Sequence, residues 1–351
     1  MKSSAILLLA AMGVLTAQVQ AAQELPDKQA PLPSVPKNPD QTYLTPRPLS
    51  AIPEGAFGDK VRLGYQLFVN TQQLRDKYVG NELNCANCHM DAGRKANASP
   101  VWGAYFAYPA YRKKDDKVNT FQERIQGCFN YSMNGKAPAA GSPELVALSA
   151  YAYWLGMSGL MDAANLDGPV PELSDAELVK GAKREDFPLP DALAKAMTVE
   201  QRANLPGRGY PEIPKPELAF SPERGKAVYT AHCQACHGAD GQGQAIAGVY
   251  SLPPLWGPMS YNWGAGMHRV NTAAFFIYEN MPFGKSMQLT NQQAWDVAAY
   301  INSHERPQDP RNKGDVKQAQ EKYHNDNDYY GVENDGKVLG TASYPVFPKK
   351  S

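Results

Sequence analysis

Asn84-Cys85-Ala86-Asn87-Cys88-His89 is the stretch on which the reading of this chain turns, because it recurs as His232-Cys233-Gln234-Ala235-Cys236-His237. Each copy contains Cys-x-x-Cys-His. At that spacing two thiols can bond the vinyl groups of one porphyrin while the following His sits under its iron. A redox disulfide or a zinc knuckle also uses Cys-x-x-Cys, but neither explains a His after both pairs. The two copies take four of the five cysteines in the chain. The expected cofactors are two covalently bound c-type haems, one on Cys85 and Cys88, the other on Cys233 and Cys236. His89 and His237 are the proximal iron ligands, and Cys128 is left over.

The sequence around the two motifs also repeats. Val61, Gly64, Tyr65 and Phe68 share one face of a helix that the pattern starts at Asp59. Ser221-Pro222-Glu223 opens a second helix in which Gly225 and Tyr229 restate the Gly-x-x-x-aromatic spacing of Gly64 and Phe68. There the small residue permits close crossing of another helix. Each unit ends on a further helix. One starts at Ser142 with Pro143 in its first position and carries Leu145, Leu148, Ala152 and Leu155 on one face. The other starts at the capping box Thr290-Asn291-Gln292-Gln293 and carries Trp295, Ala298 and Ala299. Ala150-Tyr151 corresponds to Ala299-Tyr300. The order helix, haem motif, loop, sulfur-bearing segment, helix resembles class I cytochrome c. The expected fold class is therefore all-α, two class I cytochrome c-like domains joined by a Pro-rich linker, each built around one haem.

Residues 1–22 read as a secretory signal: Lys2, an apolar run from Ala5 to Leu15, and small residues near Ala21 and Ala22. The run is too short to span a bilayer. The expectation is a periplasmic protein with no membrane span in its mature form, and a monomer. Residues 23–57 form a Pro-rich extension, 58–164 the first haem domain, 165–216 a second Pro-rich stretch serving as linker, 217–306 the second haem domain and 307–351 a polar C-terminal tail expected to run over the surface. Short helices are expected near Asp175 and Asp191, and a loop over 91–119. With 35 basic against 35 acidic residues there is no overall field to attract nucleic acid, so any anion site must come from local charge.

The sixth iron ligands are less evenly legible. In the second unit Met281, in Asn280-Met281-Pro282-Phe283-Gly284, stands just ahead of the last helix, with Met287 as rival. A thioether opposite His raises a haem's potential. In the first unit the repeat places Met133 opposite Met281. Yet Cys128 lies five residues earlier and has no disulfide partner once the haem thiols are used. Spacing alone leaves both open.

Phe121-Gln122-Glu123-Arg124-Ile125-Gln126-Gly127-Cys128-Phe129, continuing through Tyr131-Ser132-Met133-Asn134-Gly135-Lys136, resembles the corresponding segment of di-haem thiosulfate dehydrogenases, as do Pro109-Ala110-Tyr111-Arg112 and Asp116-Lys117-Val118-Asn119-Thr120. The resemblance covers roughly residues 58 to 160 and 217 to 306. It implies His89 and Cys128 as the axial pair of the first haem, and His237 and Met281 for the second. Some members place a Lys just before that Met; here Asn280 stands there, so no ligand exchange of that kind is expected. The activity implied is the coupling of two thiosulfate ions to tetrathionate with release of two electrons, the reverse also occurring. The electron acceptor would be a periplasmic carrier cytochrome.

Two dianions repel, so the chemistry needs local cations. Arg112, Lys113, Lys114, Lys117 and Arg124 precede Cys128; the three lysines are expected on a solvated face. Arg124 stands one helical turn before Cys128, and Ser132 four residues after it can donate a hydrogen bond to a sulfonate. The resemblance makes Arg124 and Ser132 active-site residues and Arg112 a looser carry-over. Cys128 is expected to be catalytic, carrying a thiosulfate-derived sulfur transiently. His232 is expected at the surface, His268 in a packing role, and His304 and His324 solvated. The competing readings are a two-haem electron carrier without substrate, a di-haem peroxidase, and a relay cytochrome bearing a persulfide.

Overall fold

The structure is a computed structural model. It describes residues 46–163, 207–246, 249–324, 327–342 and 344. The signal segment, most of the Pro-rich extension and the helices expected near Asp175 and Asp191 lie outside the described residues.

The first unit is built on α1 (Ala56–Val69), which crosses the long α4 (Pro143–Ala163). Between them lie the haem-motif turn α2 (Cys85–Cys88), a two-stranded hairpin of β1 (Ala110–Arg112) and β2 (Lys117–Asn119), and α3 (Phe121–Tyr131). The second unit pairs α5 (Pro222–His232) with α7 (Asn291–Asn302), and α6 (Val270–Asn280) packs on α7. The capping signals operate where the sequence puts them. Thr120 and Thr290 each accept from the backbone N–H three residues on, at 3.2 Å, while Glu123 and Gln293 accept from the cap's own N–H. α1 starts three residues earlier than the apolar pattern suggests, because Asp59 N–H bonds to Gly55 and supplies a turn before the face begins. The expected loop over 91–119 contains the β1–β2 hairpin.

The two glycines mark the same crossing in both units. A Cβ on Gly64 would lie 2.0 Å from the Ala147 carbonyl oxygen and 2.8 Å from the Tyr151 Cβ. One on Gly225 would lie 1.9 Å from the Asp296 carbonyl oxygen and 2.8 Å from the Tyr300 Cβ. Backbone atoms cannot step aside as a side chain can. Gly225→Ala is therefore expected to cost about 1–3 kcal/mol or more, read as a fall in the melting temperature of the haem-loaded protein. An unchanged melt would show that α5 and α7 can separate freely.

Direct backbone and amide bonds join the units. Glu82 N–H donates to the Met259 carbonyl (3.1 Å), and Asn262 N–H to that of Tyr131 (3.2 Å). Asn81 Nδ2 reaches both the Ser132 and Ser260 carbonyls, at 2.7 and 3.1 Å. The C-terminal stretch is not the bare surface tail its polarity suggests. It forms α8 (Val316–Tyr323) and a small hairpin (Glu333–Asn334 with Lys337–Val338), and it buries Tyr330 and Leu339 against Trp263 of the second unit. Trp263 N–H donates to the Pro307 carbonyl and Val270 N–H to that of Asn327, which fastens the stretch at its start and near its middle. Among the described residues, no helix is long and apolar enough to cross a membrane.

Candidate functional site

In the second unit the haem-motif turn Gln234–His237 follows α5 directly, and His237 N–H bonds back to the Cys233 carbonyl. His237 Nδ1 lies 2.9 Å from the Pro253 carbonyl oxygen. That contact fixes the ring and leaves Nε2 as the metal-facing nitrogen. Cys233, Cys236, His237 and Met281 line one cavity of about 820 Å³, whose remaining wall includes Leu252, Leu255, Phe276 and Ile277. Two free thiols, an oriented imidazole and a thioether around an apolar space of this size fit a covalent c-type haem. Met281 occupies the C-terminal end of α6, on the cavity wall; Met287 does not line it.

In the first unit Cys85 N–H donates to Thr71 Oγ1 (3.0 Å), and Asn84 and Asn87 cap the turn reciprocally. His89 Nδ1 lies 2.5 Å from the Ser99 carbonyl oxygen, and the Phe68 ring packs 5.9 Å from the imidazole. Burial pulls the His89 pKa down to about 4, so the ring is neutral and a competent iron donor. The cysteines of both motifs and Cys128 carry no disulfide. This donor set fits a second haem. Cys88 also lines the 820 Å³ cavity, so the first attachment turn forms part of the second cofactor's wall.

The two candidates for the sixth position in the first unit are placed differently. Met133 is 3% exposed and packs into the hydrophobic core. Cys128, on α3, is partly buried and near enough to Cys85 and Cys88 to couple to both; burial first, and then the nearby sulfur, raises their thiol pKa values. Its Sγ lies 2.7 Å from Arg124 Nη1.

Arg124 is also on the wall of a second cavity, of about 470 Å³. Arg112, Lys113 and Lys114 of the hairpin, and Gly127, Tyr131 and Ser132 of the Cys128 helix and its cap, form one side. The other side comes from the second unit and the C-terminal stretch, with Arg269, Arg311 and Lys322. Seven basic side chains thus surround one small space. The Arg112 guanidinium sits beside Gly127, where a Cβ would lie 4.0 Å from its Nη1, so the hairpin delivers it to the turn before Cys128. Arg112, Arg124 and Ser132 are therefore brought together, as the sequence suggests.

Three expectations change. Lys113 and Lys117 are exposed, but Lys114 is not on a solvated face. Its Nζ stands 3.4 Å over the Tyr131 ring and donates to the Gly264 carbonyl across the unit boundary. His324 is buried, between two carboxylates, and His304 stacks on Trp256 with ring centroids 4.1 Å apart. His268 packs, but it also lies on the basic cavity's wall. Arg269, Arg311 and Lys322 were not singled out from sequence; their only signal was positive charge in segments without periodicity.

Residues 222–305 match the cytochrome c family, and residues 73–156 match the SoxA/TsdA cytochrome c domain family. The chain is 44% identical over 343 residues to a thiosulfate dehydrogenase of Stutzerimonas stutzeri, covering 97% of this chain and 99% of that one. It is 45% identical over 303 residues to one of Thiomonas intermedia, covering 86% and 84%. A shorter match, 35% identical over 78 residues and 21% of this chain, is to the L-cysteine S-thiosulfotransferase subunit SoxA of Rhodovulum sulfidophilum. Among solved structures, a thiosulfate dehydrogenase (TsdBA) from Marichromatium purpuratum superposes with a TM-score of 0.71 at 43% identity, covering 86% of this chain and 58% of that one.

Proposed function

The chain belongs to the thiosulfate dehydrogenase family of di-haem cytochromes c, and from that premise we propose that the basic cavity brings two thiosulfate ions together beside Cys128. The protein is an oxidoreductase that carries two covalent c-type haems and oxidises thiosulfate, with tetrathionate as product. The observation that carries the site assignment is the contact of Cys128 Sγ with Arg124 Nη1, at the wall of a space lined by seven basic side chains.

The overall change is 2 S₂O₃²⁻ → S₄O₆²⁻ + 2 e⁻. One S–S bond forms and no proton is exchanged. The haems, when bound, accept the two electrons singly and pass them on. The protein's own work is electrostatic and nucleophilic. Arg112, Arg124 and Lys114 offset the repulsion between two dianions, and Ser132 donates a hydrogen bond to a sulfonate oxygen. Cys128 thiolate bonds the terminal sulfur of one thiosulfate as two electrons leave, giving Cys–S–S–SO₃⁻. The second thiosulfate attacks the sulfur next to the sulfonate-bearing end. It takes the S–SO₃ group as tetrathionate and releases the Cys128 thiolate. The reverse order of steps reduces tetrathionate. His89 with Cys128, and His237 with Met281, are the residues that would hold the two haem irons. We further infer a monomer working in the periplasm and giving its electrons to a small carrier cytochrome.

The direct test is to mix the haem-loaded protein with thiosulfate and an electron acceptor and to quantify tetrathionate against acceptor reduced. One tetrathionate per two electrons is expected. No thiosulfate-dependent reduction, with peroxide turnover or simple electron shuttling instead, would displace the reading.

Lys114 adds a pH dependence. Burial, and then the charges of Arg311, Arg124 and Arg112, lower its pKa to about 7, with Asp309 opposing. A dianion binds best when Lys114 is protonated. Thiosulfate kcat/KM should therefore be highest below about pH 7 and fall as pH rises through that value, by about tenfold. Lys114→Met should bring the acid limb down to the alkaline level and flatten the profile there. An unaltered break in that variant would assign the titration to another group.

A further inference from the structure

The far wall of the basic cavity is held by a buried chain of charges that the chemistry of thiosulfate does not require for proton transfer. Arg311 Nε lies 3.0 and 3.2 Å from the two carboxylate oxygens of Asp309, and its Nη2 lies 2.6 Å from Oδ2. His324 Nε2 meets the same Asp309 Oδ2 at 3.1 Å. His324 Nδ1 meets Asp328 Oδ2 at 3.2 Å, and that oxygen is also 3.1 Å from His268 Nε2. The His268 Nδ1 faces the Ala265 carbonyl. The chain therefore runs His268, Asp328, His324, Asp309, Arg311. The side chains of its first four members are at most 2% exposed.

Both nitrogens of His324 face carboxylate oxygens. Carboxylates only accept, so both nitrogens must donate and the ring is a cation. Asp309 thereby sits between His324 and Arg311, and Asp328 between His324 and His268, so each buried carboxylate has a basic partner on both sides, the condition under which buried charges persist. His268, His324 and Asp328 lie close enough to consider as metal ligands. Serving as one would require His324 to give up a proton that a carboxylate now takes. The reaction exchanges no protons, so a proton relay has nothing to carry here. What the chain does is fix one guanidinium. With Nε and Nη2 held by Asp309, no hydrogen bond among the described residues uses Arg311 Nη1. The Cζ stands 5.5 Å from the Tyr131 ring, which also carries the Lys114 ammonium.

We propose that Arg311 binds the sulfonate of the second thiosulfate, the one that does not bond Cys128, and that Asp309, His324, Asp328 and His268 are positioning residues for it. The inference rests on the reading of this cavity as the thiosulfate site. It adds the C-terminal stretch to the substrate-binding machinery.

The test uses the haem-loaded full chain with Arg311→Gln, Arg311→Lys, His324→Asn and the Arg311→Gln/His324→Asn double variant. Arg311→Gln should raise the thiosulfate KM about 10- to 100-fold. It should leave kcat within about threefold and the haem absorption spectrum unchanged. Tetrathionate binding to the ferric protein, followed by calorimetry without reductant, should weaken by a similar factor. Arg311→Lys should recover part of the loss. His324→Asn should move KM in the same direction by less, and the double variant should be no worse than Arg311→Gln alone. Should Arg311→Gln fail to fold, the KM and binding shifts of Arg311→Lys decide the matter in the same way. A lowered melting temperature with unchanged KM and tetrathionate affinity would make the chain a brace only and overturn the proposal. So would additive losses in the double variant, or a stoichiometric bound metal in the wild type that His324→Asn loses. The underlying reading fails separately: Cys128→Gly with full turnover would remove the site itself, whereas an inactive Cys128→Gly beside an unaffected Arg311→Gln sinks only the present inference.

Discussion

Cys128→Gly is expected to lower tetrathionate formation by about 10³-fold or more, because the proposed nucleophile and the sulfur intermediate proposed on it are both lost. Glycine leaves no side chain to take over either role; beside Gly127 it also costs α3 about 1 kcal/mol of helix propensity, so the melting temperature is measured alongside turnover. Cys128→Met separates two functions of the sulfur. It keeps a donor that can face iron but offers no thiolate to form a disulfide-like bond. If only ligation mattered, Cys128→Met would retain most of the turnover. The proposed chemistry requires it to be as inactive as the glycine variant, while its absorption spectrum stays that of a six-coordinate haem. Tetrathionate yield and visible spectra of the two variants, measured side by side, decide between them.

Arg124→Gln is expected to have the next largest effect, a fall in kcat of about 10²-fold accompanied by a rise in KM. Arg124 touches Cys128 Sγ at 2.7 Å and lies on the wall of the basic cavity, so in the proposed chemistry one charge would serve both nucleophile and substrate. Gln removes the charge and keeps an amide donor, but one that stops two bonds short of the Nη1 that reaches Cys128. Arg124→Lys keeps the charge but loses the planar fork, and should fall between the two. If Arg124→Gln raised KM alone, the residue would be a binding group without influence on the sulfur. If neither parameter moved, the cavity would not be where thiosulfate reacts.

What could be read from the sequence was local. The haem turns and the capping boxes at Thr120 and Thr290 each depend on residues within a few positions of one another, and the glycines Gly64 and Gly225, whose partners lie far along the chain, showed only through the repeated Gly-x-x-x-aromatic spacing. Their physics is therefore written in spacing. The Arg124 and Cys128 pairing belongs to the same class, one turn apart on a helix. The far wall of the cavity does not. Asp309 meets His324, and Asp328 meets His268, from parts of the chain that show no shared period, so Asp309, His324 and Asp328 read as solvent-facing and His268 as mere packing. Lys114 failed for a related reason. Lys113-Lys114-Asp115-Asp116 is a turn by composition, and only the approach of Tyr131 and the Gly264 carbonyl shows that one of its lysines is sheltered.

The far wall also divides the two jobs of the molecule between distant parts of the chain. Both cysteine pairs, Cys128 and Met281 precede residue 300, whereas Arg311, Lys322 and His324 line the cavity from beyond it. Removal of the stretch from residue 307 onward would leave every sulfur in place and open the anion pocket on one side, so electron storage and substrate capture can be separated by a single cut.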